Sequence, residues 1–231
     1  MQIIYPSKIK DAKNIPIIIN NRNRLTTLLL LIKSLEKRGY KNLFIIDNAS
    51  TYKPLLEYYK TCSYKIFLLE QNVGFLALWK TPIYKQFIRD YYVYTDSDVV
   101  LVDECPDNFL NLFWTTMKQK TFLYKIGLSL KLDDIPDCYL QKSRVIEWES
   151  VYYKNIVDDK FYLANVDTTF ALYRPWYKGG ANIYIKTYRS AFPYQLKHLP
   201  WYVDSANLDE EELYYLENAT TTTHWTQKES S

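Results

Sequence analysis

Short apolar runs alternate with helical patterns along the first hundred residues of the chain. The runs are nearly continuous, as in strands that are covered on both faces, and they lie at residues 15–19, 43–46, 66–69 and 91–94. Between the first two runs, apolar residues recur at helical spacing, and Gly39 then provides a helix-ending signal. Strands that alternate with helices predict right-handed crossovers and a parallel sheet.

The later part of the chain is less regular. Its apolar runs predict strands at residues 126–130, 169–173 and 183–185, and its periodic stretches predict helices at residues 106–118, 143–154 and 209–217. The acidic start of the last helix, residues 209–212, favours the helix dipole and is interpreted as a solvated face. Because no linker-like stretch interrupts the sequence, residues 1–231 are predicted to form a single domain.

Polar clusters follow the predicted strands of the first half. They comprise Asn20, Asn21 and Arg22; Asp47 and Asn48; Asn72 and Gly74; and Thr95, Asp96, Ser97 and Asp98. In open α/β sheets, ligands bind at the carboxyl ends of the strands. The clusters therefore predict a nucleotide-type site at one edge of the sheet. Asparagine is also a favoured helix cap, which is the alternative role for Asn21 and Asn48.

Asp96 and Asp98 are the strongest candidates for a metal site. They stand two residues apart after a predicted strand, where a turn can direct both carboxylates into one cleft. Such hard oxygen ligands suit Mg²⁺ or Mn²⁺, which proteins usually hold with one or two carboxylates plus substrate phosphates. The alternative is a loop with two solvated aspartates, because this short pattern is common in unrelated proteins.

Composition excludes several classes of protein. The formal charge of +3 argues against a dedicated nucleic-acid binder. None of the five glycines belongs to a glycine-rich phosphate loop, and two histidines cannot form a three-histidine zinc site. The three cysteines are widely spaced, which fits a reducing compartment. An aromatic content of 17% suits either a densely packed core or a sugar-binding cleft.

The sequence shows neither a signal-peptide pattern nor an apolar stretch of membrane-spanning length. A cytoplasmic protein is therefore expected. Peripheral contact with a membrane through exposed aromatic side chains is the alternative that this pattern leaves open.

The strand-end clusters resemble those of nucleotide-sugar-dependent glycosyltransferases with the GT-A fold, in particular the small family-2-like enzymes of bacteria and large DNA viruses. The matching segments lie at residues 17–22, 45–50, 71–75 and 94–98, in the same order and spacing, within about residues 14–102. Weaker likenesses lie at residues 132–136, 167–173, 198–202 and 223–225. The resemblance implies an α/β fold with a mostly parallel central sheet, a nucleotide-sugar-binding half over about residues 1–102 and a smaller acceptor-binding half over about residues 103–231.

The resemblance also implies roles for individual residues. A nucleotide-sugar donor, with UDP as the expected nucleotide, would contact Asn20, Asn21, Arg22, Asp47, Asn48, Asn72, Gly74, Thr95, Asp96 and Ser97. A divalent cation, Mn²⁺ or Mg²⁺, would be held by Asp96, Asp98 and His224. For His224, an ordinary packed or surface position beside Trp225 is the alternative.

The general base and the acceptor site are less well specified. An inverting transferase needs a carboxylate to deprotonate the acceptor hydroxyl. The candidates are Asp133, Asp134, Asp167 and the acidic run at residues 209–212, and of these Asp134 and Asp167 are favoured. The late Glu-Asp pair that supplies the base in many family-2 enzymes is absent, which leaves the stereochemistry open. His198, Trp201 and Tyr202 could bind the acceptor by stacking and hydrogen bonding, and a packed aromatic turn is the alternative.

The sequence is compatible with three functions. The first is a hexosyl- or deoxyhexosyltransferase that acts in glycan or polysaccharide synthesis. The second is a sugar nucleotidyltransferase, which usually carries a glycine-rich loop with Lys or Arg after the first strand. The third is a non-catalytic carbohydrate-binding protein on a GT-A fold, against which the intact Asp96 and Asp98 pair counts.

Overall fold

The computed structural model describes residues 7–167, 169–179 and 187–219. The strands are β1 (Ile17–Asn21), β2 (Leu43–Asp47), β3 (Lys65–Leu68), β4 (Tyr92–Asp96), β5 (Val99–Leu101), β6 (Lys125–Gly127), β7 (Ser129–Leu130), β8 (Phe161–Leu163), β9 (Phe170–Tyr173), β10 (Thr187–Ser190) and β11 (Gln195–His198). The α-helices are α1 (Thr26–Lys37), α2 (Lys53–Tyr59), α3 (Ala77–Lys80), α4 (Phe109–Gln119), α5 (Lys142–Ser150) and α6 (Glu210–Glu217). Short 3₁₀ helices cover Ala12–Asn14, Pro82–Gln86, Val151–Tyr153 and Leu199–Tyr202.

Eight of these strands form a sheet in the order β3-β2-β1-β4-β9-β6-β10-β8. β1 pairs in parallel with β2 and β4, and β2 pairs in parallel with β3. β9 runs antiparallel to both β4 and β6, so β6 points the same way as β4, and β10 is parallel to β6. Only β8 and β9 oppose the common direction. The prediction of an α/β fold with a mostly parallel sheet is confirmed.

Both faces of β1, β2 and β4 are largely buried, which explains their nearly continuous apolar runs. β3, at the edge of the sheet, is partly exposed despite its apolar sequence. Along β1, Ile17 and Ile19 join a large cluster that includes α1 and α4, whereas Ile18 joins a second cluster that includes α3. Alternate side chains of a strand point to opposite faces, so one short run supplies two cores.

The predicted strand at residues 126–130 is two strands that belong to two sheets. β6 lies inside the large sheet, whereas β7 pairs with β11 in a three-stranded sheet of order β5-β11-β7. The change of sheet occurs beside Gly127, where an added Cβ would lie 2.1 Å from Cγ1 of Val166 and 2.8 Å from the carbonyl oxygen of Phe170. This close approach needs a residue without a side chain.

Four strands were not predicted, namely β5, β8, β10 and β11. β5 and β8 are apolar but only three residues long, whereas β10 and β11 mix polar and apolar residues, and β10 buries the polar side chains of Thr187, Arg189 and Ser190. A hydrophobic-periodicity signal cannot find such strands. The predicted strand at residues 183–185 lies outside the described residues.

We expect Gly127→Ala to destabilise the fold by about 1–3 kcal/mol, because a methyl group overpacks a backbone contact that cannot move aside. Urea unfolding of both proteins measures the difference. Gly39→Ala is the matched control: Gly39 has φ +80° but only a lysine side chain 4.0 Å from an added Cβ, so we expect a backbone cost of about 1 kcal/mol. Equal stability of Gly127→Ala and wild type would contradict the packing argument.

Candidate active site

The polar clusters of the first half meet at one edge of the large sheet. The parallel registers place Asn20 of β1 beside Ile46 of β2 and Asp96 of β4, and Asn21 beside Asp47. These residues are at the carboxyl ends of their strands, where an α/β sheet binds its ligands. The backbone therefore brings together segments as distant in the sequence as Asn20 and Asp96, which are 76 positions apart, as the positions of the clusters after the strands predicted.

Asn21 and Asp47 are buried beneath this edge and share a hydrogen-bond network. Asn21 donates to the hydroxyl of Tyr59 over 2.9 Å, and that hydroxyl donates to Asp47 over 3.0 Å. The other oxygen of Asp47 accepts from the backbone N–H of Ser50 over 2.9 Å. Burial and the charge of Asp47 raise the pKa of Tyr59, which keeps its hydroxyl protonated as the donor. The network fixes the β2–α2 loop.

Asn48 joins this loop to the segment after β3. Its amide donates to the carbonyl of Gly74 over 3.0 Å and accepts from the backbone N–H of Val73 over 2.8 Å. Asn72 accepts from the backbone N–H of Gly74 over 2.9 Å, and Gly74 has φ +81°, a value that favours glycine. Neither Asn21 nor Asn48 caps a helix, because α1 and α2 begin after Leu25 and Tyr52.

Arg22 lies at the same edge and makes three backbone contacts. Its guanidinium donates to the carbonyls of Asn48 over 2.9 Å and Ala49 over 3.2 Å, and to the carbonyl of Asn218 over 3.3 Å. The last contact spans 196 residues of sequence. Arg22 therefore connects the β2–α2 loop to the end of α6.

The turn from Asp96 to Asp98 lies between β4 and β5. Thr95 and Ser97 are buried, whereas Asp96 is half-buried at the end of β4. One carboxylate oxygen of Asp98, Oδ2, lies 3.9 Å from Nε of Arg24, and the other, Oδ1, lies 3.7 Å from Nε2 of His198. Oδ1 is buried and accepts no hydrogen bond from any described residue.

β11 brings His198 to this turn. It pairs with β5 so that His198 faces Val99, and the backbone N–H of Leu199 donates to the carbonyl of Asp98 over 2.8 Å. Burial lowers the pKa of His198, although the charge of Asp98 opposes that effect, so the imidazole is neutral near pH 7. The sequence predicted His198 as an acceptor residue, and its contact with the Asp98 carboxylate was not foreseen.

The other two predicted acceptor residues have different surroundings. Trp201 packs in the large core cluster and is 2% exposed. The centroids of the Trp201 and His198 rings are 4.7 Å apart. A sugar could stack on this indole only after a rearrangement. Tyr202 is half-buried and donates to Asp134 over 2.5 Å.

The two candidate bases lie in distinct places. Asp134 receives the Tyr202 hydroxyl and the ammonium of Lys197, whose Nζ lies 2.6 Å from Oδ2. Burial opposes ionisation of Asp134, but these contacts outweigh it and lower its pKa, which makes it a weak base. Lys197 and His198 are consecutive on β11 and point to opposite faces. Asp134 is therefore not brought together with Asp98.

Asp167, in contrast, lies three residues before β9, the strand that pairs with β4. β9 runs antiparallel to β4 with Thr95 opposite Phe170, and the Thr95 hydroxyl donates to the carbonyl of Thr169. The charge of Asp167 opposes the lowering of the pKa of His198 by burial, so Asp167 is close enough to interact with His198, which lies beside Asp98. The Asp167 side chain is exposed. Burial lowers the pKa of nearby Lys125 to about 8, and the charge of Asp167 opposes the shift.

The interpretation of the acidic run at residues 209–212 as a solvated face holds for Asp209 and Glu210, which are exposed, but is wrong for Glu211 and Glu212. Asp209 caps α6 by accepting from the backbone N–H of Glu212 over 2.8 Å. Glu211 is buried and accepts from the backbone N–H groups of Leu25 and Thr26, at the start of α1. Glu212 is buried against Arg24. Hydrogen bonds with partners that are distant in the sequence offset the cost of burying these carboxylates. Local charge patterning does not reveal such partners.

Within the described residues, no group of three or more His, Cys, Asp or Glu side chains could enclose a metal by itself. Asp96 and Asp98 nonetheless offer two carboxylates at this edge of the sheet, and the buried Oδ1 of Asp98 has no hydrogen-bond partner among the described residues. This donor set fits Mg²⁺ or Mn²⁺ if substrate phosphates complete the coordination. His224, the third predicted ligand, lies outside the described residues.

Solved structures of other proteins resemble this chain in fold. GalNAc-T7, crystallised with UDP, GalNAc and Mn²⁺, aligns with a TM-score of 0.51 at 15% identity, over 79% of this chain and 43% of that protein. The chain has a GT-A fold. At this identity the GT-A likeness concerns the fold alone.

Other structures align at lower scores. TarS 1–349 from S. aureus gives a TM-score of 0.42 at 16% identity, over 70% of this chain and 47% of that one. A cytidylyltransferase from Leptospira borgpetersenii gives 0.37 at 12% identity, over 58% of this chain and 70% of that one. The chain spans less than half the length of TarS 1–349 and of GalNAc-T7. No protein-family profile and no curated protein sequence matches it.

No helix in the described ranges combines the length and the apolar character needed to cross a membrane.

We expect Asn48→Ala to destabilise the fold by about 1–3 kcal/mol, because it leaves the N–H of Val73 and the carbonyl of Gly74 without their partner. Hydrogen exchange at residues 72–75 should accelerate along with the loss measured by urea unfolding. Asn42→Ala is the control, since Asn42 makes one exposed hydrogen bond and should change stability by less than about 0.5 kcal/mol. Unchanged exchange at residues 72–75 would show that Asn48 does not hold this segment.

Proposed function

We propose that this chain is a glycosyltransferase that moves a sugar from a nucleotide-diphosphate sugar, UDP-linked, to an acceptor hydroxyl in glycan or polysaccharide synthesis. The supporting observation is the position of Asp96 and Asp98 at the carboxyl edge of a GT-A sheet, with Oδ1 of Asp98 buried and without a hydrogen-bond partner among the described residues. A GT-A relative in fold, GalNAc-T7, was crystallised with UDP and Mn²⁺.

The structure offers an argument against the nucleotidyltransferase alternative. That class would use the loop after the first strand and the start of the first helix to bind phosphates. Here Glu211 occupies the N-terminus of α1, and Glu212 engages Arg24, a cation of the same loop. Because an in-chain carboxylate already fills the anion position, the glycosyltransferase is favoured.

The donor would lie along the strand ends of the first half. We assign the nucleotide to the surface formed by Asn20, Arg22 and the Asn72–Gly74 turn, with the buried Asn21, Asp47 and Asn48 supporting it from below. Asp96 and Asp98 would hold a divalent cation together with the diphosphate, and such an ion supplies Lewis-acid stabilisation of a departing diphosphate. The later half of the chain would bind the acceptor.

We assign the general base to Asp167 and not to Asp134. Asp167 is exposed, and its charge acts on His198, which lies beside Asp98, so we expect its carboxylate to approach an acceptor hydroxyl at the donor site. Asp134 is paired with Lys197 and Tyr202, and its lowered pKa weakens it as a base. A carboxylate in this role accepts the hydroxyl proton while the acceptor oxygen attacks the anomeric carbon, so the reaction inverts configuration.

The donor assignment predicts that UDP binds in the presence of Mn²⁺ and that Asp98→Ala abolishes this binding while the fold stays intact. Isothermal titration calorimetry with UDP, in the presence and absence of Mn²⁺, measures the binding to wild type and to Asp98→Ala. Asp103→Ala is the matched control, because Asp103 is an exposed carboxylate five residues away whose only ion pair among the described residues is with the exposed Lys37.

Metal-dependent UDP binding that persists in Asp98→Ala would contradict the metal role of this residue. If wild type binds no UDP but binds GDP or dTDP with Mn²⁺, the nucleotide assignment is wrong and the transferase assignment stands. If it binds no nucleotide, the chain is a non-catalytic protein on this fold.

The base assignment predicts that Asp167→Asn lowers kcat by about 10²–10⁴-fold and leaves donor affinity unchanged. Asp134→Asn should lower kcat much less, because that carboxylate is held by Lys197 and Tyr202 away from Asp98. Turnover of an identified UDP-sugar by the three proteins measures both effects. The reverse ranking of the two variants would transfer the role to Asp134.

A further inference from the structure

The guanidinium of Arg24 lies between two carboxylates that have different tasks. Arg24 is almost fully buried, and its guanidinium carbon lies 3.8 Å from the ring centroid of Tyr215. On one side is Glu212 of α6, and on the other is Asp98 of the metal-site turn. One cation thus adjoins two anions, so its orientation decides which of them is neutralised.

The donors of Arg24 are divided unequally between these partners. Nη1 and Nη2 both donate to Glu212, the second over 3.1 Å. Nε is 3.9 Å from Oδ2 of Asp98, which is too long for a hydrogen bond. Within the described residues, Nε of Arg24 and Oδ1 of Asp98 are both buried and have no hydrogen-bond partner. A buried donor and a buried carboxylate therefore stand close together without bonding.

The two-point contact with Glu212 accounts for this arrangement. A guanidinium is a planar fork, so two bonds to one carboxylate fix its orientation. Glu212 cannot follow Arg24, because α6 is held independently: Asp209 caps the helix and Glu211 binds the start of α1. The fork is thereby held in an orientation that keeps Nε from reaching Asp98.

We propose that Glu212 is a positioning residue that holds the Arg24 guanidinium off Asp98 and so keeps the Asp98 carboxylate available to a divalent cation and its diphosphate. This role deepens the proposed function and rests on it for the identity of the ligand. Without the Glu212 charge, Asp98 becomes the anion that Arg24 contacts, and the guanidinium competes directly with the cation.

Mn²⁺ binding to the full chain, measured by electron paramagnetic resonance of the free ion, tests the proposal without requiring turnover. In Glu212→Gln we expect the Mn²⁺ affinity to fall by about tenfold or more, because a unit positive charge moves into contact with the metal-binding carboxylate. In the double variant Arg24→Gln with Glu212→Gln, the competing cation is gone and the affinity should return to at least the wild-type value.

Glu211→Gln is the matched control. Glu211 is the neighbour of Glu212, is equally buried and also anchors α6, but it contacts α1 and not Arg24. Its Mn²⁺ affinity should stay within about twofold of wild type. A loss in Glu211→Gln as large as in Glu212→Gln would show that docking of α6, and not the Glu212 charge, controls the site, and would overturn the proposal.

Two further results would overturn it. One is wild-type affinity in Glu212→Gln, and the other is weak binding that the added Arg24→Gln change does not restore. If Glu212→Gln does not fold, the double variant alone tests the proposal. Mn²⁺ binding by the double variant that is weaker than that of wild type would contradict the positioning role of Glu212. If wild type binds no Mn²⁺ either alone or in the presence of UDP, the metal part of the proposed function fails. A crystal structure of Glu212→Gln then decides: Arg24 hydrogen-bonded to Asp98 supports the positioning role, and an unchanged Arg24 refutes it.

Discussion

The parallel pairing of β1 with β2 on one side and β4 on the other is the constraint on which the rest of this molecule depends. It aligns Asn20, Asp47 and Asp96 at one edge of the sheet, although they come from separate parts of the sequence. Burial of both faces makes the register firm, because a shift of one residue would turn the apolar side chains of β1 away from their clusters. The geometry of the site is thus a consequence of core packing.

Antiparallel strands complete this edge from the second half of the chain. β9 enters beside β4 with Asp167 just before it, and β11 enters beside β5 and brings His198 to the Asp96–Asp98 turn. Each of these strands runs against a neighbour from the first half, so the residues at their ends meet the loop that follows β4. The site therefore joins both halves of the sequence in one polar surface.

The sequence allowed the parallel region and its polar edge to be predicted, because both rest on local signals. Apolar runs mark β1 to β4, and the residue after each run lies at the carboxyl end of its strand. These local signals fail where the buried side chains are polar. Arg189 in β10 and Glu211 and Glu212 in α6 are buried only because a distant partner bonds to each, such as Glu149 with Arg189. No periodicity within one segment contains that information, so β10 was missed and the burial of Glu211 and Glu212 was not predicted.

The contact of Glu211 with the start of α1 links groups 185 and 186 residues apart. During synthesis the amino-terminal half leaves the ribosome long before Glu211 does. Throughout that interval the first N–H groups of α1 have water as their partner, and Arg24 lacks the carboxylate that orients it. The nascent sheet can collapse around its apolar strands, yet the polar edge acquires its final form only when α6 docks. Assembly of the core and completion of the edge are therefore separate events in time, and the second awaits the synthesis of α6.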